Sequence, residues 1–462
     1  MTKIISVRKA VRAGLLGLML AGLTVCSTAD NLLEVENPSQ LDESLLNDAA
    51  LVKVLVAGVV GDFQNMYSDP FVWRGSMFTD EQITGVNWEQ TARLSQRIVQ
   101  YDEGDADLMF SDLSEARAQA DSIAGRMKGG LSESPSNDPE LAMVLAYAGY
   151  SYIVLADAMC EATVNVGSTI YQPVELYGFA VDRFNEAMSV ANAAGAGTTL
   201  SNGRKVSDLI SMINVGLSRA NLNLGNNAEA MAAAAKVPDG FFWWVEYNDS
   251  DSRTYNVLET RITGANHTIG VHPNFIAGGP SNWLKQDLEP FLTDPRVQHD
   301  PRWVTGHNAL SPLYKPKSGL MFSNYNGETI ATGGTPATYE RGTDIAMASY
   351  IEAMQNYYEA AGPNGTGPLG TTLEFVNSRR AFGNQDPVNL SGADLMTELR
   401  WQRGKDLFLG GYRLGDLRRW LREGMDLFPS GPHPTAEWGS YGDATCFPLP
   451  KEEYEGNPNI SR

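Results

Sequence analysis

SDLISMINVGLSRANLNLGNNAEAMAAAAKVP, residues 207–238, holds two helices and the turn between them. Leu209, Met212, Ile213, Leu217, Ala220 and Leu224 recur at steps of three and four, which places them on one face of a helix. Gly225, Asn226 and Asn227 make the turn, and Gly225 suits the left-handed end of a helix. An Ala-rich second helix follows over 228–237, and Pro238 stops it.

The same grammar extends upstream. Over 139–161, Leu141, Leu145, Ala148, Tyr152, Leu155 and Met159 share one face. Asp138 is placed to cap that helix, with Pro139 at its first position. Gly149, with Ala146 and Ala156, leaves room for another helix to come close. A further helical pattern runs over 174–191 and stops at a Gly-rich stretch, 195–197. Residues 139–237 therefore carry helical pairs, and the run Leu224, Gly225, Glu229, Ala230 resembles a tetratricopeptide hairpin, with Asn227 where that repeat often has Tyr. Helical spacing also covers 42–63 and 89–126, the latter as one or two helices.

Beyond Pro238 the character changes. Residues 238–340 lose helical periodicity and fill with Gly, Pro, Asn, Thr and aromatics, including Trp243, Trp244, Trp283 and Trp303. About a hundred residues without a periodic pattern is too long for an ordinary connection, and long loops on a helical scaffold commonly carry function. In FFWWVEY, residues 241–247, extended backbone would alternate faces, which puts at least one of Trp243 and Trp244 in the core. Helical patterns return over 344–361 and 371–380.

The 462 residues carry a net charge of −20. Such acidity argues against nucleic acid and anionic lipid as electrostatic partners. A hydrophobic share of 43% allows a large core. The first 25 residues differ from the rest. Lys3, Arg8, Lys9 and Arg12 precede an uncharged run from Ala13 to Val25, as in a secretory signal. Cys26 follows directly and resembles the acylated cysteine of a bacterial lipoprotein, with Val25 in place of the usual small residue. Without residues 1–25 the net charge is −24, and no later run is long and apolar enough to span a membrane. Cys160 and Cys446 would then remain. In an oxidising compartment the two could pair, but Cys160 closes an apolar helical pattern, so a buried free thiol is the expectation.

The C-terminal stretch ELRWQRGKDLFLGGYRLGDLRRWL, residues 398–421, alternates apolar and cationic positions. Arg400, Arg403, Arg413, Arg418, Arg419 and Arg422 are expected on solvated helix faces with internal ion pairs, set against carboxylates or helix ends. After Gly- and Pro-rich residues 429–445 comes FPLPKEEYEGNPNI, residues 447–460. Taken in order, the signal with Cys26 and LLEVENP, the tetratricopeptide-like helices, LRWQRGKDLFLGGYRLGDLRRW and FPLPKEEYEGNPNI make the chain resemble the SusD/RagB family of outer-membrane nutrient-binding lipoproteins. The resemblance implies a mainly α fold, a SusD-like domain over 26–462. Tetratricopeptide-like hairpins would form the scaffold (30–240), a loop-rich insertion the ligand face (238–340), and a RagB/SusD-type region the end (341–462). It also implies a cell-surface lipoprotein of the outer membrane, anchored through Cys26. Such a protein gathers an oligomeric nutrient, often a glycan, for a SusC-like TonB-dependent transporter. It implies no catalysis and no cofactor.

The residue inventory agrees with binding. His267, His272, His299, His307 and His433 form no HExxH motif, and they read as loop histidines with hydrogen-bond partners rather than as a metal site. No nucleophile elbow or phosphate-binding loop is present. Sugar rings offer an apolar C–H face to Trp or Tyr while amides, carboxylates and guanidinium groups bond their hydroxyls. The candidates on that chemistry are Trp73, Arg74, Asp80 and Trp88, then Asn282, Trp283, Arg302 and Trp303. Two other classes stay open on the residues alone: a tetratricopeptide-type protein-interaction scaffold, and a secreted glycoside hydrolase, since 55 acids offer many carboxylate pairs.

Overall fold

Helix α1 (Val52–Met66) buries Leu55, Val56, Val59 and Phe63 along one stripe. The computed structural model describes residues 48–84, 88–262, 269–275, 294–297, 304–305, 312–313 and 340–462. The signal segment 1–25, Cys26, His267, Asn282, Trp283, His299, Arg302, Trp303, His307 and most of the loop-rich insertion lie outside them. Val52–Arg462 form one compact unit.

Helices α2 (Trp73–Phe78), α3 (Glu89–Ser95) and α4 (Gly104–Arg126) follow, with strand β1 (Gln82–Thr84) after α2. Residues 89–126 thus hold two helices. Helix α5 (Pro139–Ala158) is the axis of the molecule. Asp138 caps it by accepting the Glu140 N–H at 2.9 Å, and Pro139 opens it. The spacing marks one apolar face, yet every residue from Leu141 to Ala158 is buried. Contrary to the expectation that no later run is long and apolar enough, α5 could by length and composition cross a membrane, but protein encloses it on all sides.

Helices α6 (Pro173–Ala194), α7 (Val206–Leu224) and α8 (Asn227–Ala234) complete the scaffold, α5 packing on α6, α6 on α7 and α7 on α8. Gly225 takes the left-handed conformation (φ +76°) that lets α7 end and the chain reverse. The close approach foreseen at Gly149 is made by the Phe184 ring of α6. A Cβ on Gly149 would sit 2.7 Å from that ring, and one on Gly216 of α7 only 2.3 Å. Two helices therefore close on one phenyl group because neither carries a side chain there.

Strand β2 (Phe242–Val245), helix α9 (Val257–Ile262), strand β3 (Ile269–Val271) and strand β4 (Ile345–Ser349) come next. The antiparallel pair β2–β4 slips register between Trp243 and Trp244, and β1 pairs antiparallel with β3. Helices α10 (Tyr350–Ala361), α11 (Thr372–Phe382), α12 (Gly392–Asp406), α13 (Arg413–Arg422) and α14 (Lys451–Gly456) finish the chain.

Two sequence expectations are overturned here. The arginines of 398–422 do form ion pairs, but mostly not at solvated faces: Arg403, Arg413 and Arg419 are 1%, 3% and 2% exposed, and of the six only Arg422 is exposed, with its Nη2 donating to the Asn223 carbonyl at 3.2 Å. Arg403 pairs with Asp416 at 2.7 Å, Arg419 with Glu359 at 2.9 Å and Arg413 with Asp80 at 2.6 Å. Partners from distant elements let the cations go inside, since a buried charge is tolerated when paired and hydrogen-bonded. Arg418 instead donates to the Ala156 and Asp157 carbonyls at 2.7 and 2.8 Å, capping the C-terminus of α5. Second, Cys160 is not a free thiol: it is disulfide-bonded to Cys446, with Cα atoms 5.0 Å apart. Helix α5 ends before Cys160, whose N–H donates to the Phe447 carbonyl at 2.8 Å and so draws the C-terminal segment alongside.

Candidate functional site

A pocket opens where two loop-rich segments meet, one following β3 and one following α13. The β1–β3 pair is prolonged by the His272 N–H donating to the Glu81 carbonyl at 3.0 Å. From the other side the Gly442 N–H donates to the Gln96 carbonyl at 2.7 Å, and Thr435 Oγ1 to the Thr84 carbonyl at 3.3 Å. The pocket between has a volume of about 260 Å³; its walls include Phe428, Pro429, Pro432, His272, Asn274 and Tyr441. Aromatic and proline rings supply rigid apolar surface, while exposed Asp426 and Ser430 add polar groups at the edge.

Two histidines hold Tyr441. The Asn274 N–H donates to His272 Nδ1 at 3.1 Å, which fixes the proton of the neutral ring on Nε2. That Nε2 lies 2.8 Å from the Tyr441 hydroxyl oxygen. Tyr441 therefore accepts from His272, and its own O–H is left to donate. His433 repeats the device: the Thr435 N–H donates to its Nδ1 at 3.0 Å, its Nε2 faces Ser95 Oγ at 3.2 Å, and its ring packs 4.9 Å from that of Tyr441. Burial pushes both histidines down to about 4, with the Asp80 carboxylate pulling His272 the other way. Both are neutral at neutral pH, which leaves the tautomers as assigned.

Behind the pocket, Arg97 adopts φ +59°, lays its guanidinium 4.9 Å from the Phe428 ring and donates Nη2 to the Gly442 carbonyl at 2.5 Å. Among the described residues, no group of three or more His, Cys, Asp or Glu side chains gathers as a metal site. The arrangement offers a fixed hydroxyl donor above an apolar wall, which is equipment for holding a ligand.

Of the residues singled out from sequence, Asp80 touches the pocket wall through Asn274, and Trp88 opens a helix that leads to it. Trp88 is half-buried at the N-terminus of α3, the helix whose last residue, Ser95, bonds His433. The structure gives Asp80, Arg74 and Trp73 interior partners. Asp80 is fully buried against Arg413 and also accepts from Asn274 Nδ2 at 3.2 Å. Arg74 pairs with Asp105 at 2.8 Å and with Asp69. Trp73, 5% exposed, lies between the guanidinium groups of Arg74 and Arg261, at 4.4 and 4.0 Å. Tyr441, His433 and Phe428 were not singled out. The one signal for Tyr441 and His433 was the Gly- and Pro-rich composition of 429–445, which marks a loop without saying which side chain it presents; Phe428 lies just before it.

The helical scaffold superposes on solved structures of SusD superfamily proteins. A SusD superfamily protein from Bacteroides vulgatus ATCC 8482 superposes with a TM-score of 0.64, covering 90% of this chain and 98% of that one at 12% sequence identity. A SusD-like carbohydrate binding protein from the same organism gives 0.61 over 89% and 97%, also at 12% identity. A SusD homolog from Bacteroides thetaiotaomicron VPI-5482 gives 0.60 over 90% and 97% at 14%. At these identities the likeness is one of fold. No family sequence model and no curated protein sequence matches the chain.

Proposed function

We propose that this chain is a nutrient-binding protein that captures an oligosaccharide on its loop-rich face. It then passes the ligand, unaltered, to a SusC-like TonB-dependent transporter of the outer membrane. The observation that carries the reading is the pocket around Tyr441, built from the two segments whose composition marks them as loops and set on a fold shared with a carbohydrate binding protein. The anchor in this reading is a lipid on Cys26. The disulfide between Cys160 and Cys446 supports an oxidising compartment outside the cytoplasm.

Calorimetry of the purified protein against a panel of oligosaccharides tests the capture step. Tyr441→Phe removes the hydroxyl donor and is expected to weaken binding by about fivefold to tenfold, the worth of one neutral hydrogen bond. His272→Phe frees the Tyr441 hydroxyl to turn and is expected to weaken it similarly. Chromatography of the ligand after prolonged incubation should return it intact; released products would point to the hydrolase class. Affinity purification from the outer membrane should recover a TonB-dependent barrel, and recovery of soluble partners alone would sink the transport half.

A further inference from the structure

Among the described residues, four of the six arginines in 398–422 meet carboxylates and two do not. Arg400 pairs with Glu423 at 2.9 Å, and Arg403, Arg413 and Arg419 have the interior partners given above. Arg418 and Arg422 bond only uncharged oxygens, in a chain with 55 acids to offer. The two stand four residues apart on α13, so they share a face. That face forms one wall of a cleft of about 340 Å³, within the usual range of small-molecule sites, roughly 300–1,000 Å³. The cleft shares no lining residue with the pocket around Tyr441.

Each guanidinium is held without being neutralised. Arg418, 8% exposed, gives Nη1 to the Ala156 and Asp157 carbonyls, and its Nε and Nη2 have no acceptor among the described residues. Burial draws it down to about 10, against Tyr177 and Asp157, and the neighbouring charge of Arg422 adds to the fall. Arg422 donates Nη2 to the Asn223 carbonyl and side-chain oxygen of α7, at 3.2 and 3.3 Å. The carboxylates next in sequence to the walls are engaged elsewhere. Glu423 goes to Arg400, Glu175 accepts the Gln172 N–H at 2.8 Å, and Glu161 accepts the Tyr454 hydroxyl at 3.4 Å. None of the three lines the cleft.

The rest of the wall is largely apolar. Helix α6 brings Pro173 and Val174 from its first turn, Val174 57% exposed, and α13 adds Leu421. The N-terminal end of α6 is also its electropositive end. Cys160, tied to Cys446, closes another side.

We propose that this cleft binds a small amphiphilic oxyanion, a carboxylate or phosphate head on a short apolar body. Arg418 and Arg422 take the head, because a guanidinium offers paired N–H donors to two oxygens at once. Pro173, Val174 and Leu421 cover the body. A lining with two cations and no anion favours an anionic ligand over a cationic or neutral one. The inference stands on the chemistry of this cleft and does not depend on the pocket around Tyr441.

The test titrates the purified protein with hexanoate, hexyl phosphate, hexanol, hexylammonium and inorganic phosphate, followed by calorimetry and saturation-transfer NMR. Expected is binding of hexanoate or hexyl phosphate at least tenfold tighter than of hexanol or hexylammonium, and the tighter of the two identifies the head. Arg422→Gln should weaken that binding about tenfold, the worth of one charge-assisted hydrogen bond. Val174→Asp should weaken it too, by placing a negative charge in the cleft at an exposed first-turn position where an acid suits the helix. This variant keeps the proposal testable if Arg418→Gln, which uncaps α5, does not fold. Equal affinity for hexanol and both anions would overturn the site, as would anion binding unchanged in both Arg422→Gln and Val174→Asp. Inorganic phosphate binding as tightly as hexyl phosphate would overturn the amphiphilic ligand. Oligosaccharide binding should be unchanged in Arg422→Gln, and its loss together with the anion would overturn the proposal by making the cleft part of the saccharide site.

Discussion

Asp80 and Arg413, 333 residues apart in the chain, meet in a buried two-bond ion pair, Nε to Oδ1 at 2.6 Å and Nη2 to Oδ2 at 2.8 Å. Burial opposes the charge on Asp80, but the Arg413 guanidinium outweighs it and holds the carboxyl below the usual carboxylate range. Asp80→Asn would leave a buried guanidinium without its counter-charge, a loss of about 3–5 kcal/mol. Urea unfolding should show it. Adding Arg413→Met should recover part of the loss, because the unpaired charge is then gone.

Glu81, next in sequence, behaves oppositely. Burial pushes it up to about 8, against the Leu409 N–H, which donates to its Oε1 at 2.8 Å, and against Arg413; Asp80 and Asp416 add to the rise. Between the unfolded value near 4.5 and the folded value near 8, the native state keeps a proton that the unfolded chain has released. Stability from this group therefore falls as pH rises through that window. Glu81→Gln keeps the acceptor for Leu409 and removes the titration. Melting temperatures of the variant and the parent are expected to converge near pH 4 and to diverge towards pH 8 in favour of the variant. A constant offset would assign the effect to packing instead.

Gly216 meets Phe184 more tightly than Gly149 does. Gly216→Ala should cost about 1–3 kcal/mol by overpacking, despite the better helix propensity of Ala. Combining it with Phe184→Leu should recover stability, and thermal melts of the two single variants and the double one decide the point.

The Cys160–Cys446 bond closes a loop with a sequence separation of 286. Replacing both residues with Ser should destabilise the protein by about 2–5 kcal/mol. Adding reductant to the parent should lower its melting temperature to near that of the variant, while the variant should be insensitive to it.

Local signals were legible to the residue. Asp138 and Pro139 start α5, and Gly225 ends α7, because capping and left-handed turns depend on neighbours a few positions away. The small residue at Gly149 announced a close contact, though not that Phe184 would fill it. The pairing of Trp243 and Trp244 into one core and one half-exposed ring followed from alternation, yet the register slip opposite them, where Met347 is skipped on the partner strand, did not.

What the amino-acid order determined by itself was a mainly helical scaffold of paired hairpins, its loop-rich additions and the places where helices start and stop. Those features follow from periodicity and caps, which act over one or two turns of chain. Only the tertiary structure decided which charges go inside and which side chains form a site. Asp80 reads as a candidate ligand residue until Arg413 arrives from 333 residues away, Cys160 as a free thiol until Cys446 lies beside it, and Tyr441 as one loop aromatic among many until His272 and His433 fix it. Burial energies and hydrogen-bond partners depend on neighbours in space, and those neighbours are chosen by the packing of the whole chain.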